Sequence, residues 1–167
     1  MLRDKNLVPL SRQHQHALAL CVRISRARLA NPSELRAWQS EIAEHFEQEI
    51  RYHFDAEEAH LFPAAREFPE LSALVDELLA EHAQLRDYFS RAAGGMLDRQ
   101  GLCAFAETLS SHIRKEERKL FEGMQEKIAP DAFAKIGAKV DQTLAAVSQA
   151  CIVPTESKLK AEEKSSS

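Results

Sequence analysis

Two stretches of this chain combine residue types and spacing that could do chemistry: HFDAEEAHLFP at residues 53–63 and HIRKEERKLFE at residues 112–122. Both read His-x-x-x-Glu-Glu-x-x-Leu-Phe, so His53 and Glu57 recur as His112 and Glu116. On a helix, residues four apart share a face, with Cβ atoms only about 5–6 Å apart. An imidazole and a carboxylate held that way can grip one metal ion, or one ion and its neighbour. Two such helices facing each other would bring two nitrogens and two carboxylates to a shared centre. The expectation is a dinuclear metal site inside a helical bundle.

The elements that must position these groups are long helices. The chain has 167 residues, enough for one well-buried core and one domain. Five glycines and six prolines are too few for a strand-and-turn fold of this length, and Ala/Leu/Glu/Arg-rich stretches favour helix. Helix 1 is expected from near Ser11 to about Ala30, where Asn31-Pro32 stops it. Helix 2 opens at Ser33 and runs to Phe62, with Pro63 bending or ending it. Helix 3 spans about Leu71 to Ala93 and stops at Gly94-Gly95. Helix 4 runs from about Asp98 to Ile128, and a fifth helix reaches about Cys151. The expected division is a lead-in over 1–9, a helical bundle domain over 10–151 and a disordered tail over 152–167.

Helix phase selects which polar residues face inward. Helix 2 carries Trp38, Ile42, Phe46, Ile50, His53, Glu57 and Leu61 on one stripe. Helix 3 carries Leu78, His82, Leu85 and Phe89; helix 4 carries Leu109, His112, Glu116 and Leu120. Helix 1 offers His14 and His16, about 200° apart at 3.6 residues per turn, so only one can point inward. His14 is in phase with Leu10, Ala17 and Cys21, whereas His16 shares a wetter face with Arg12 and Arg23. His14 is the expected ligand; a helix start displaced by one residue would turn the choice to His16. His45, His60, Glu58 and Glu117 fall off the inward stripes and are expected at the surface or beside the ligands.

The tally is four histidines, His14, His53, His82 and His112, and two glutamates, Glu57 and Glu116. If both glutamates bridge and each ion takes two histidines, every ion has four protein donors. A bridging oxo or hydroxo group makes a fifth, and one position stays open for oxygen, nitric oxide, peroxide or water. Nitrogen and oxygen donors without thiolate suit iron or manganese, while affinity order alone would favour zinc over iron. Without metal, two carboxylates would be buried together, and the expectation is that they take up protons with raised pKa values.

Other features narrow the class. A net charge of −4 gives no general attraction for nucleic acid or an anionic membrane. No apolar run approaches the roughly 18 residues of a membrane span, and MLRDKNLVPLSRQ has no apolar core of a signal peptide. Three widely spaced cysteines, Cys21, Cys103 and Cys151, argue against a disulfide framework. A cytoplasmic location is the expectation, and nothing in the sequence marks a protein partner.

With these residues in place, the chain resembles the hemerythrin-like family, the HHE cation-binding domains. The resemblance covers residues 10–128 and rests on LSRQHQHAL, HFDAEEAHLFP, AEHAQL and HIRKEERKLF, in that order. It implies an all-α, up-down-up-down four-helix bundle around a non-haem di-iron centre, to which the fifth helix is an addition. It also implies His14, His53, His82 and His112 as ligands, with Glu57 and Glu116 bridging. Oxygen-carrying hemerythrins have a second histidine four residues from the first on the third helix, and an aspartate five after the last histidine. Here Leu78 and Arg86 flank His82 at that spacing, and the carboxylate is Glu116. The four-histidine set is similar to bacterial di-iron proteins linked to nitric oxide stress and repair of iron centres. Those repair proteins carry a further cysteine-containing N-terminal domain, which these 167 residues do not include. The expected functions are binding or sensing a diatomic ligand or handling iron, or alternatively redox turnover of peroxide or nitric oxide or repair of iron centres.

Overall fold

The computed structural model describes residues 2–150, with only the backbone given for 146–150. Cys151 and the tail from Pro154 lie outside the described residues. Among the described residues all regular structure is helical, and the pieces join into five helices. Helix α1 is Val8–Arg26. Helix α2, residues 32–66, is α-helical over Pro32–His45, Arg51–Ala56 and Phe62–Arg66, with π-helical turns at Phe46–Ile50 and Glu57–Leu61. Helix α3 is Pro69–Ala93. Helix α4, residues 99–127, is α-helical over Arg99–Lys115 and Phe121–Lys127 around a π-turn at Glu116–Leu120. Helix α5 is Pro130–Ala150.

Local chemistry sets the boundaries. Asn31 caps α2 by accepting from the Glu34 amide at 2.9 Å, and Asp98 caps α4 through the Gly101 amide at 2.7 Å. Helix α3 ends in paired reverse bonds, Gly95 N–H to Ala92 O and Met96 N–H to Arg91 O. They require the left-handed backbone that Gly95 adopts at φ 67°. Three boundaries differ from expectation. Helix α1 starts at Val8, three residues before Ser11, because Pro9 sits in its first turn, where the missing amide leaves no bond unmade. It also ends at Arg26, since the chain turns extended at Ala27 and left-handed at Leu29, φ 50°. The buried Leu29 side chain holds that unusual conformation.

Pro63 does not end α2 at Phe62. The Phe62 amide bonds to Glu57 O, five residues back, so the turn is already widened where the proline ring enters. Pro63 then falls in the first turn of Phe62–Arg66, where its missing amide is tolerated.

The interior is two apolar cores separated by one polar layer. The first core contains Ala17, Cys21 and Ile24 of α1, Ile42, Ile50 and Phe54 of α2, Leu85 and Phe89 of α3, and Phe105 and Leu109 of α4. The second contains Leu10, Leu61, Phe62, Val75, Leu78, Leu120, Phe121 and Met124, closed by Phe133 and Val140 of α5. Helix α5 lies so close to the lead-in that a Cβ at Gly137 would meet Asn6 Cβ at 2.5 Å. Between the cores, the buried polar residues are His14, His53, Glu57, His82, His112 and Glu116. No described helix is long and apolar enough to cross a membrane.

Candidate metal centre

Each of the four core helices delivers its polar residue at the same level because an apolar stripe on either side pins its rotation. On α1, Leu10 fills the second core and Ala17 the first, so His14 between them must face the middle. On α3, Leu78 and Leu85 do the same for His82. On α2 and α4 the π-turns begin at Glu57 and Glu116 themselves. Such single wide turns inside α-helices concentrate at functional sites.

The six residues form two overlapping clusters that share both carboxylates: His14, His53, Glu57 and Glu116, and His82, His112, Glu57 and Glu116. Within each cluster the ligand-capable atoms lie within 4.8 Å of one another. His53 Nε2 is 3.2 Å from Glu57 Oε1, His14 Nε2 is 3.2 Å from Glu116 Oε2, and His112 Nε2 is 3.2 Å from Glu116 Oε1. His82 Nε2 lies 3.4 Å from Glu57 Oε2 and 3.1 Å from His112 Nε2.

His82 Nε2 and His112 Nε2 pair with each other, but the imidazole–carboxylate contacts are close without being aligned as hydrogen bonds. His14 Nε2, His53 Nε2 and all four oxygens of Glu57 and Glu116 are buried with no hydrogen-bond partner. Atoms that crowd together while pointing at common points, rather than at each other, are the signature of donors to a shared ion. A buried carboxylate left without partner or metal is strongly penalised. The donor set, imidazole nitrogen and carboxylate oxygen only, fits a pair of divalent or trivalent first-row ions.

The opposite nitrogen of every histidine is fixed from outside the layer. His14 Nδ1 meets Glu117 Oε1 at 2.7 Å, and His53 Nδ1 meets Gln13 Oε1 at 2.9 Å. His82 Nδ1 meets Glu58 Oε1 at 2.7 Å, and His112 Nδ1 meets Glu81 Oε2 at 2.9 Å. An acceptor at Nδ1 keeps a proton on that nitrogen, so Nε2 is the atom that faces the centre and would serve an ion there. The four links also close a circuit. Helix α1 holds the histidine of α2, α2 holds that of α3, α3 that of α4, and α4 that of α1. Glu58 and Glu117 were expected beside the ligands; Gln13 and Glu81 were not singled out. Their signal was only adjacency, since each directly precedes a histidine on an inward stripe.

Three phenylalanines wall the layer. Phe54 stacks on His82 with ring centroids 3.8 Å apart, Phe62 lies 5.3 Å from the same ring, and Phe121 stacks on His14 at 5.5 Å. None of the six polar residues lines the surface cavities of about 420, 310 and 270 Å³.

The family comparison falls on this same framework. The family model for the hemerythrin HHE cation-binding domain matches residues 8–123, from the start of α1 to the last turns of α4. The chain belongs to the hemerythrin HHE cation-binding family. No curated protein and no solved structure matches the chain. A hemerythrin HHE domain implies metal-cation binding, and the two His/Glu clusters of this one fit such a site.

Protonation in this hemerythrin domain reverses one expectation. The buried carboxylates were expected to rise in pKa. Burial and the Glu116 charge do push Glu57 up, but the imidazoles of His53 and His82 outweigh them and hold it below the usual carboxylate range. Burial likewise opposes ionisation of Glu116, and His112 and His14 hold it well below that range. The protons sit on the histidines instead. Burial disfavours His14 and His112 cations, yet the Glu116 carboxylate, with Glu117 and Glu81, raises them to about 9 and about 10. Burial opposes the His82 cation as well, and Glu57 and Glu58 raise it above its ordinary value. Metal-free, imidazolium charge stands in for the cation.

The remaining polar candidates sit elsewhere. The His16 side chain is 63 % exposed and pairs with Glu49 on the outer face. His60, expected in solvent, is half-buried because α5 crosses it, and its Nε2 meets Thr143 Oγ1 at 3.1 Å. His45 is also half-buried, with its Nε2 covered. Tyr52 accepts from Arg51, and Tyr88 packs edge-on against Phe105 in the first core, so neither reaches the polar layer. The Cys21 thiol is buried in the first core, and burial pushes its pKa up.

Proposed function

We propose that this domain is a non-haem di-iron protein that binds or senses a small diatomic ligand, oxygen or nitric oxide. One ion would be held by His14 and His53, the other by His82 and His112, with Glu57 and Glu116 bridging both. The observation that carries the reading is the pair of four-residue clusters sharing both carboxylates. Bound there, an iron pair would supply reversible redox chemistry and open coordination positions.

The protein's own contribution is orientation and exclusion. Glu117, Gln13, Glu58 and Glu81 fix the four rings with Nε2 inward. Phe54, Phe62 and Phe121 line the layer and keep bulk water out. The site residues border none of these three surface cavities, which favours a ligand of two or three atoms over an organic substrate. The order in which the helices meet the two cores supports an up-down-up-down bundle with α5 appended. Helices α1 to α4 run second-to-first, first-to-second, second-to-first and first-to-second.

Stopped-flow spectra of the anaerobically reduced, iron-loaded protein mixed with oxygen test this reading. A long-lived adduct that reverses on removing oxygen is the expected result. Rapid, irreversible oxidation would replace binding by redox turnover.

A further inference from the structure

The circuit around the histidines has one odd member. Three links end on carboxylates, Glu117 under His14, Glu58 under His82 and Glu81 under His112; the fourth ends on the neutral amide of Gln13, under His53. Each carboxylate is itself balanced by a cation: Arg3 at Glu117, Arg86 at Glu58 and Lys115 at Glu81. That balancing is common to all three, so it does not cancel the difference. A charged acceptor draws the Nδ1 proton more strongly than a carbonyl and makes the opposite nitrogen a better donor. The position formed by His82 and His112 therefore has two carboxylate-backed imidazoles. The position formed by His14 and His53 has one.

We propose that the two metal positions are unequal and that Gln13 makes them so, the ion at His14 and His53 being the weaker bound and the first to exchange. The proposal rests on the dinuclear reading above. It assigns Gln13 as a positioning residue acting through His53. Changing such an acceptor typically alters metal affinity by about 10- to 100-fold, so the occupancies of the two positions should differ on that scale. Gln13 is only half-buried, so a glutamate there can keep one oxygen in water while the other reaches His53.

Cobalt(II) added to the metal-free protein provides the test. Its unpaired electrons shift the imidazole N–H proton resonances of the histidines that bind it. The signal that moves in E58Q identifies His82, and the signal that moves in Q13E identifies His53. At one equivalent of cobalt, the His82 signal should exceed the His53 signal about tenfold or more. In Q13E the two should become comparable, and in E58Q the ion should redistribute towards His53. Equal signals in the native protein, or a distribution unmoved by Q13E, would overturn the proposal while leaving two ions per chain intact. Saturation at one cobalt per chain would overturn the dinuclear reading itself.

Discussion

His82 and His112 bring their Nε2 atoms to 3.1 Å of each other. Only one of two facing nitrogens can donate in that contact, yet both residues have raised pKa values because Glu57, Glu58, Glu81 and Glu116 surround them. Two protons held nose to nose in a buried layer are poorly accommodated, a conflict that a bound cation would relieve. Metal and protons therefore compete for the same atoms.

The metal-free protein should lose stability as pH rises. His14 and His112 titrate near 9 and 10 in the folded state, against 6.5 ordinarily. Their contribution is fully present below pH 6.5 and disappears as pH climbs through those values. Several kcal/mol of linkage in a protein of this size corresponds to a fall in Tm on the order of 10 °C. Thermal melts at pH 6.5 and 10 should show that fall without metal and little of it with iron loaded. A flat or rising Tm for the metal-free form would contradict it.

Loading metal at pH 7 should expel protons. His14 and His112 both carry a proton at that pH in the metal-free state, and a ligand nitrogen must be bare. Calorimetric titrations in buffers of differing ionisation enthalpy should report about two or more protons released per chain. Release near zero would place the protons elsewhere.

Replacing Glu116 by glutamine should damage the protein with and without iron. Glu116 faces His14, His82 and His112, so the change strands buried cations as well as removing a proposed metal ligand. Breaking a buried pair this way costs about 3–5 kcal/mol. Glu57 pairs closely with two imidazoles, His53 and His82, rather than three, and E57Q should cost the metal-free form less. The ranking E116Q below E57Q below native, read from denaturant melts of metal-free protein, is the check. A stabilised metal-free E116Q would restore the view that these carboxylates are protonated.

His14→Ala should remove iron from the protein, whereas His16→Ala should leave iron content and spectrum nearly unchanged. His14 Nε2 faces Glu116 in the polar layer, while His16 stands on the outer face beside Glu49. Metal analysis of both variants decides it, and the opposite result would reassign α1.

Much of this could be read in the sequence because the layer is built by helix phase. Leu10 and Ala17 fix where His14 points, and Leu78 and Leu85 fix His82, so helix phase is enough to nominate these inward residues. The partners of Nδ1 were less legible. Gln13 and Glu81 look like ordinary polar residues of helix surfaces, and their role depends on which neighbouring helix lies alongside. His60 was misplaced for the same reason, since its cover comes from Thr143 on α5, far along the chain. The protonation of the layer depends on distances such as His14 to Glu117, which no spacing rule supplies.

The π-turns that start at Glu57 and Glu116 each fit one extra residue into a turn. An ordinary α-helix advances by about 100° per residue. Each turn already holds its extra residue, so adding another would swing everything downstream by about that angle. Leu61 and Phe62, or Leu120 and Phe121, would then leave the second core. The centre is therefore sensitive to added length within these turns. Insertions should be tolerated in the connections at residues 27–31 and 94–98 and disruptive between each histidine and the leucine-phenylalanine pair that follows it. The chain keeps count at its metal layer.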